Sequence, residues 1–282
     1  MLLRTLLSDH HLGRKSIEEI LQKANKDLDS DIIKGGMYKD GGFNGHLALD
    51  DENVAIQIDG AFNMAQRISD FNLQASVKNF RPHALNLSDK YEDSDISLNL
   101  VADFSGSSID DMNGVIRLDS LVLNKSGEQD YFLDNLSIMA GQSGGEKEIQ
   151  ILSPFLTGVV RGNYSYETVP TSILHIAQQY IPSLISWKDQ KQKPSNNFRF
   201  DVQLSNAVFF NKLFYIPLEV HMPLSIKGFV NDKDGLLRME GYFPNLTYNG
   251  TRYESATLLC ENPSNIMDCR LRGSMLLKSG AM

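Results

Sequence analysis

Between Ile216 and Ile226 every second residue is apolar: Ile216, Leu218, Val220, Met222, Leu224 and Ile226. Pro217, Glu219, His221, Pro223 and Ser225 lie between them. Successive side chains of a β-strand point to opposite faces, so this run specifies a strand with one apolar and one polar face. The same period of two recurs along the chain. It runs through Val54, Ile56 and Ile58, through Phe71, Leu73, Ala75 and Val77, and through Ile96, Leu98, Leu100, Ala102 and Phe104. Phe198, Phe200, Val202 and Leu204 continue it. Alternation, as opposed to continuous apolar runs, specifies an antiparallel sheet with one solvated face. Short turns such as Asp40-Gly41-Gly42 and Asp232-Lys233-Asp234-Gly235 make it a meander.

The interruptions are informative too. Strands repeatedly run into a glycine, at Gly60, Gly228, Gly241 and Gly273. Glycine within a strand marks a bulge or bend, and its repetition is expected to curl the sheet. Pro217 and Pro223 lie six residues apart on the 216–226 run. Each lacks a ladder N–H, so a bulge, a break or a covered edge is expected there. Two helices stand out. Ser16-Ile17-Glu18-Glu19 reads as a capping box, with Ile17, Ile20, Leu21, Ala24 and Leu28 following at helical spacing. A second helix runs from Pro170 to about Trp187, with Pro182 inside it, and leads into the polar stretch 188–197. The resulting organisation is an N-terminal helix and lead-in strand (1–44), a β-segment (45–169), an amphipathic helix with its linker (170–197) and a second β-segment (198–282).

Composition narrows the function classes. The net charge is -8 over 282 residues, without a basic block, so nucleic-acid binding has no electrostatic support. No segment reaches the roughly 20 apolar residues of a membrane helix. The histidines (His10, His11, His46, His83, His175 and His221) form no zinc-type pair. A nucleophile elbow and a phosphate-binding glycine loop are both missing from the sequence. An enzyme, a metal site and a cofactor are therefore not expected. Cys260 and Cys269 flank the turn 261–265. Paired strands would bring them together, either as a disulfide or as two half-buried thiols.

About a dozen strands with one apolar face must hide that face, and two short helices cannot cover it. A two-sheet sandwich, a closed barrel, and one sheet curled around an apolar trough all solve the problem. On packing grounds alone the sandwich leads.

The stretch from Phe104 through Gly106, Ile109-Asp110-Asp111-Met112-Asn113-Gly114 and on to Leu121 resembles a unit of the TamB/AsmA-like family of Gram-negative bacteria. That unit is an alternating strand, a glycine, a short turn and another alternating strand. Tyr131 to Ile138 and Leu156 to Tyr166 resemble the family as well, and the likeness is greatest to its Bacteroidetes branch. It covers roughly residues 45–275. The resemblance implies a mainly β fold, a long curled antiparallel sheet, taco-shaped, with an apolar inner groove and two short helices. It implies a periplasmic location in the cell envelope, anchored to the inner membrane in the full-length protein. It also implies a role in outer-membrane biogenesis, meaning outer-membrane protein assembly and secretion together with phospholipid transport. The implied partners are phospholipid acyl chains and an outer-membrane barrel-assembly-type protein. No anchor or partner-binding domain is recognisable, so the chain is expected to be an internal fragment of a longer protein.

On that reading the candidate groove lining is Ile96, Leu98, Leu100 and Phe104, then Phe198, Phe200 and Val202, then Leu218, Val220, Met222 and Leu224. Strands spaced about 4.8 Å apart would supply roughly 55–60 Å of groove from a dozen strands. Each CH₂ leaving water is worth about 0.8 kcal/mol, so a palmitoyl-length chain gains on the order of 10 kcal/mol. The 170–187 helix is expected to cap the groove, with a gate as the other possibility. Two further readings compete. One is a scaffold holding outer-membrane polypeptides by β-augmentation; the other is a closed β-sandwich acting as a binding or adhesion module.

Overall fold

The structure is a computed structural model. It describes residues 36–39, 42–63, 69–88, 91–106, 109–165, 168–169, 172, 176, 195–262 and 266–276. The helix expected at 16–28 lies outside the described residues. Two compact units divide between Leu136 and Ser137. The division falls within the segment 45–169, and the stretch 170–197 belongs to the second unit.

The first unit holds β1 (Gly36–Lys39), β2 (Gly42–Asp51), β3 (Val54–Asn63), β4 (Ser69–Phe80), β5 (Ser94–Gly106), β6 (Asn113–Lys125) and β7 (Tyr131–Leu133). Each strand from β1 to β6 pairs antiparallel with the next, and β7 pairs with the end of β6. The second unit holds β8 (Leu136–Ser143), β9 (Glu146–Leu152), β10 (Leu156–Asn163) and β11 (Asn197–Leu204). It continues with a short helix, α1 (Val208–Phe214), then β12 (Leu218–Met222), β13 (Leu224–Asn231), β14 (Leu236–Tyr248), β15 (Thr251–Glu261) and β16 (Asp268–Leu276). Its strand order is β8-β9-β10-β11-β13-β14-β15-β16, with β12 paired to β14.

Each unit is thus an open, curled antiparallel sheet. Neither divides into two facing sheets, so the sandwich favoured on packing grounds is not formed. Among the described residues every strand pairs into the sheet of its unit, which leaves none to start a second layer. The strand glycines fit this curl. Gly60 has φ +134°, and a Cβ there would stand 2.2 Å from the Asn72 carbonyl oxygen. A side chain would therefore push β4 away at that point.

The 216–226 run is irregular in the way its prolines require. It breaks at Pro223 into β12 and β13, and the register against β14 shifts between Val220 and Met222. Among the described residues β12 pairs with β14 alone, while β13 pairs with both β11 and β14. Helix α1 lies against β12.

Candidate functional site

Strand register sorts the side chains into two faces. In the first unit Leu100 of β5 lies opposite Ala75 of β4 and Leu118 of β6, and Ala75 lies opposite Ile58 of β3. Ile58 in turn faces Leu47 of β2. A row of five apolar side chains therefore crosses five strands, a span of about 19 Å at ordinary strand spacing. The next row comprises Gly60, Leu73, Ala102 and Ile116. Beyond it Phe62, Phe71 and Phe104 form a stacked ladder with ring centroids 6.2 and 4.6 Å apart. These rows carry no charged side chain. Most of their members are only half-buried, because among the described residues no second layer covers them.

One end of this face is closed. Val54, Ile96, Leu121, Leu123 and Leu133 are buried there. The loop from Arg81 to Asp93 is tied across this end by the Arg81 N–H donating to the Asn53 carbonyl (3.0 Å) and the Ser126 N–H donating to that of Asp93 (3.1 Å). Pro82 in that loop is fully buried.

The second unit repeats the arrangement. Ile151, Gly158, Val202, Ile226, Gly241 and Leu258 form one row across β9, β10, β11, β13, β14 and β15. Ile149, Val160, Phe200, Gly228, Met239 and Cys260 form the next. At one end Tyr164, Ile176, Phe198, Val230 and Leu237 form a buried cluster. Of the expected 170–187 helix only Ser172 and Ile176 are described. Both are helical and buried, and Ile176 packs into that cluster. A polar knot fastens the segment. Asp232 Oδ2 accepts from Ser172 Oγ and from the Asn196 N–H, each at 2.7 Å. Asn196 Nδ2 donates to Ser172 Oγ at 2.6 Å, and Asn196 Oδ1 accepts from the Ser165 N–H at 2.8 Å. The described part of this segment thus caps one end of the face.

The opposite face of the second unit is ionic. Arg161 pairs with Glu148, Arg199 with Glu146 at 2.8 Å, and Lys227 with Glu240 at 3.3 Å. Arg238 bridges Glu240 at 2.6 Å and Glu261 at 3.4 Å. The hydrogen bond from Arg161, and then that from Gln150, holds the Glu148 carboxyl below the usual carboxylate range. Arg238, then Lys227, does the same for Glu240. A shallow depression among Arg161, Arg199, Lys227 and Arg238 gathers four cations, each with a carboxylate partner, so it offers an anion no excess positive charge. Among the described residues no group of three or more His, Cys, Asp or Glu side chains could hold a metal ion.

The expected lining residues fall into three groups. Ile96, Leu98, Leu100 and Phe104 share one face of β5, with Ile96 in the closed end. Phe198, Phe200, Val202 and Leu224 share one face of the second unit, with Phe198 in the capped end and Leu224 buried opposite Leu204. Leu218 and Val220 do not share a face with Met222. Val220 lies opposite Leu246, whereas Met222 lies opposite Asn245, its neighbour on β14. Adjacent strand residues face opposite ways, so the residue inserted at His221 reverses the alternation. The register set at Met222 continues into β13, where Ser225 meets Tyr242. Leu218 and Val220 therefore lie on the face opposite Leu224, and Met222 is 51% exposed. Cys260 and Cys269 are directly opposite on β15 and β16 and are disulfide-bonded.

Helix α1 was not expected from the sequence. Its aromatic residues pack on Phe155, which is buried just before β10, with Phe155 and Phe209 centroids 4.8 Å apart. The available signal is the run Ala207-Val208-Phe209-Phe210, which abandons the period of two.

The chain matches no known family model, no curated protein and no solved structure.

Proposed function

We propose that the chain is a segment of a TamB/AsmA-like protein of the cell envelope, and that its apolar sheet faces carry phospholipid acyl chains in support of outer-membrane biogenesis, including outer-membrane protein assembly and secretion. The observation that carries this reading is the row Leu47, Ile58, Ala75, Leu100 and Leu118 with its counterpart through Val202 and Ile226. Both are uncharged and mostly half-buried, and among the described residues neither carries a second layer. Contiguous exposed apolar surface of this kind is characteristic of a binding face. Rows of similar Leu, Ile, Val and Ala side chains offer neighbouring sites of nearly equal affinity, which movement along the face requires. The ionic opposite face keeps the other side of the second sheet in water. The Cys260–Cys269 disulfide suits the oxidising periplasm.

Photocrosslinking tests the reading. Probes at Leu100 and Val202 should yield phospholipid adducts, while probes at Asn99 and Gln203, on the opposite faces of the same strands, should not. Adducts at both parities, or at neither, would refute it.

A β-augmentation scaffold is the second reading, and β16 favours it. Among the described residues β16 pairs with β15 alone, and Leu271, Met275 and Leu276 on it are exposed. Native mass spectrometry separates the two. Bound phospholipid supports the acyl-chain reading; bound extended peptide without lipid supports the scaffold.

A further inference from the structure

At one end of the second unit the chain turns out of α1 into a short aromatic tip. Leu213 is buried and Phe209 and Phe210 pack on Phe155, which roots the helix. Tyr215 then adopts a left-handed conformation, φ 55°. The Tyr215 N–H donates to the Asn211 carbonyl (3.0 Å) and the Ile216 N–H to the Phe210 carbonyl (3.3 Å), which fixes the turn. Phe214 packs on Phe209 and Phe210, with ring centroids 5.8 and 6.4 Å apart, yet remains 41% exposed, and Tyr215 and Ile216 beyond it are 44% and 39% exposed. Tyr248 stands beside them at the end of β14. It pairs with Leu218, and the Asn249 N–H donates to the Pro217 carbonyl at 2.9 Å. Tyr248 is 51% exposed.

The charge pattern indicates what this tip meets. The chain carries a net charge of -8, yet Ser205 to Leu218 contains no carboxylate and one cation, Lys212. Exposed rings on a fixed turn, in a stretch whose one charged residue is a lysine, match the interfacial layer of a bilayer, where amphipathic aromatic side chains settle at headgroup level. Carboxylates would be repelled from an anionic lipid surface; residues 205–218 contain none, and the first to follow, Glu219, lies on β12 beyond Pro217. We propose that the tip at 214–216, together with Tyr248, inserts into the interfacial region of a phospholipid bilayer and seats this end of the second unit on a membrane. The proposal concerns the strand ends, not the apolar face, and holds whether or not that face carries acyl chains.

Vesicles of phosphatidylcholine and phosphatidylglycerol test it. The native cysteines are paired, so Ile216→Cys places one reactive thiol for an environment-sensitive fluorophore. Lys233→Cys, in the turn between β13 and β14, is the control at the other end of β14, whose 13 residues span about 43 Å. The label at 216 should shift to the blue on addition of vesicles and the label at 233 should not. The triple variant Phe214→Ser, Tyr215→Ser, Ile216→Ser should lower the vesicle-bound fraction at least tenfold with an unchanged far-UV circular dichroism spectrum. An equal response at both labels, no vesicle binding by the wild-type chain, or full binding by a folded triple variant would each overturn the proposal. Capture of a polypeptide by this tip without a vesicle response would overturn it as well. If the triple variant does not fold, the two labels decide.

Discussion

Gly162 lies directly opposite Phe198, and a Cβ on Gly162 would stand 2.6 Å from the Phe198 Cα and 2.1 Å from the Asn197 carbonyl oxygen. The two strands approach this closely because Gly162 has φ +143° and no side chain. Phe198 is thereby brought into the buried cluster with Tyr164, Val230 and Leu237. Gly162→Ala should lower stability by about 1–3 kcal/mol, from backbone strain and the forced separation of β10 from β11. Gly127→Ala is the comparison. Gly127 also has positive φ, but nothing lies within 4 Å of a Cβ there, so it should cost about 1 kcal/mol. Denaturant unfolding of both variants measures the difference; equal losses would show that the close approach is energetically unimportant.

A charge should be tolerated on one face of β5 and not on the other. Leu100 is half-buried between Ala75 and Leu118, whereas Asn99 is exposed and donates to Ser120 Oγ at 2.9 Å. Leu100→Asp should cost about 1–3 kcal/mol by placing a carboxylate among apolar neighbours. Asn99→Asp should remain within about 0.5 kcal/mol of the wild type. Thermal melts of the two variants provide the check.

Acid should loosen the ionic face of the second unit. Glu148 and Glu240 are held below the usual carboxylate range in the folded state, first by Arg161 and first by Arg238 respectively. The unfolded chain therefore binds protons more readily than the folded one. Stability from these pairs is fully present above the ordinary glutamate value of about 4.3 and is lost as pH falls through the lowered folded values. Glu240 is partly solvent-exposed, so its share of the loss is modest. A stability profile from pH 7 to pH 3 should fall below about pH 4.5, and Glu148→Gln should flatten part of that fall.

Reduction of Cys260–Cys269 should act on β16 first. The bond joins directly opposed residues on β15 and β16, and β16 has exposed side chains along nearly its whole length. Little apolar burial therefore holds this strand. Closing so short a loop is worth about 2–3 kcal/mol. Hydrogen exchange of residues 268–276 should accelerate at least tenfold on reduction, while β10 and β11 remain unchanged. Uniform acceleration across the second unit would show that the disulfide stabilises the whole unit, not its outer strand.

The sequence by itself determined the strands and, where no residue is inserted, their faces. Ile96 to Phe104 and Phe198 to Leu204 alternate without interruption, and their even-numbered residues share a face as the pattern requires. Period two is a local property of the backbone, so it is legible residue by residue. The prolines at 217 and 223 also marked a local irregularity correctly, because a missing N–H is visible in the sequence. Which way that irregularity turned Leu218 and Val220 was decided by pairing with β14, more than twenty residues further along. A one-residue insertion against a partner strand reverses every side chain before it. The open single-layer sheets, the seating of α1 on Phe155 and the knot of Asp232, Ser172 and Asn196 likewise depend on contacts between distant segments. An apolar face states that something must meet it; only the tertiary structure decides how much of that face the chain's own loops and helices cover.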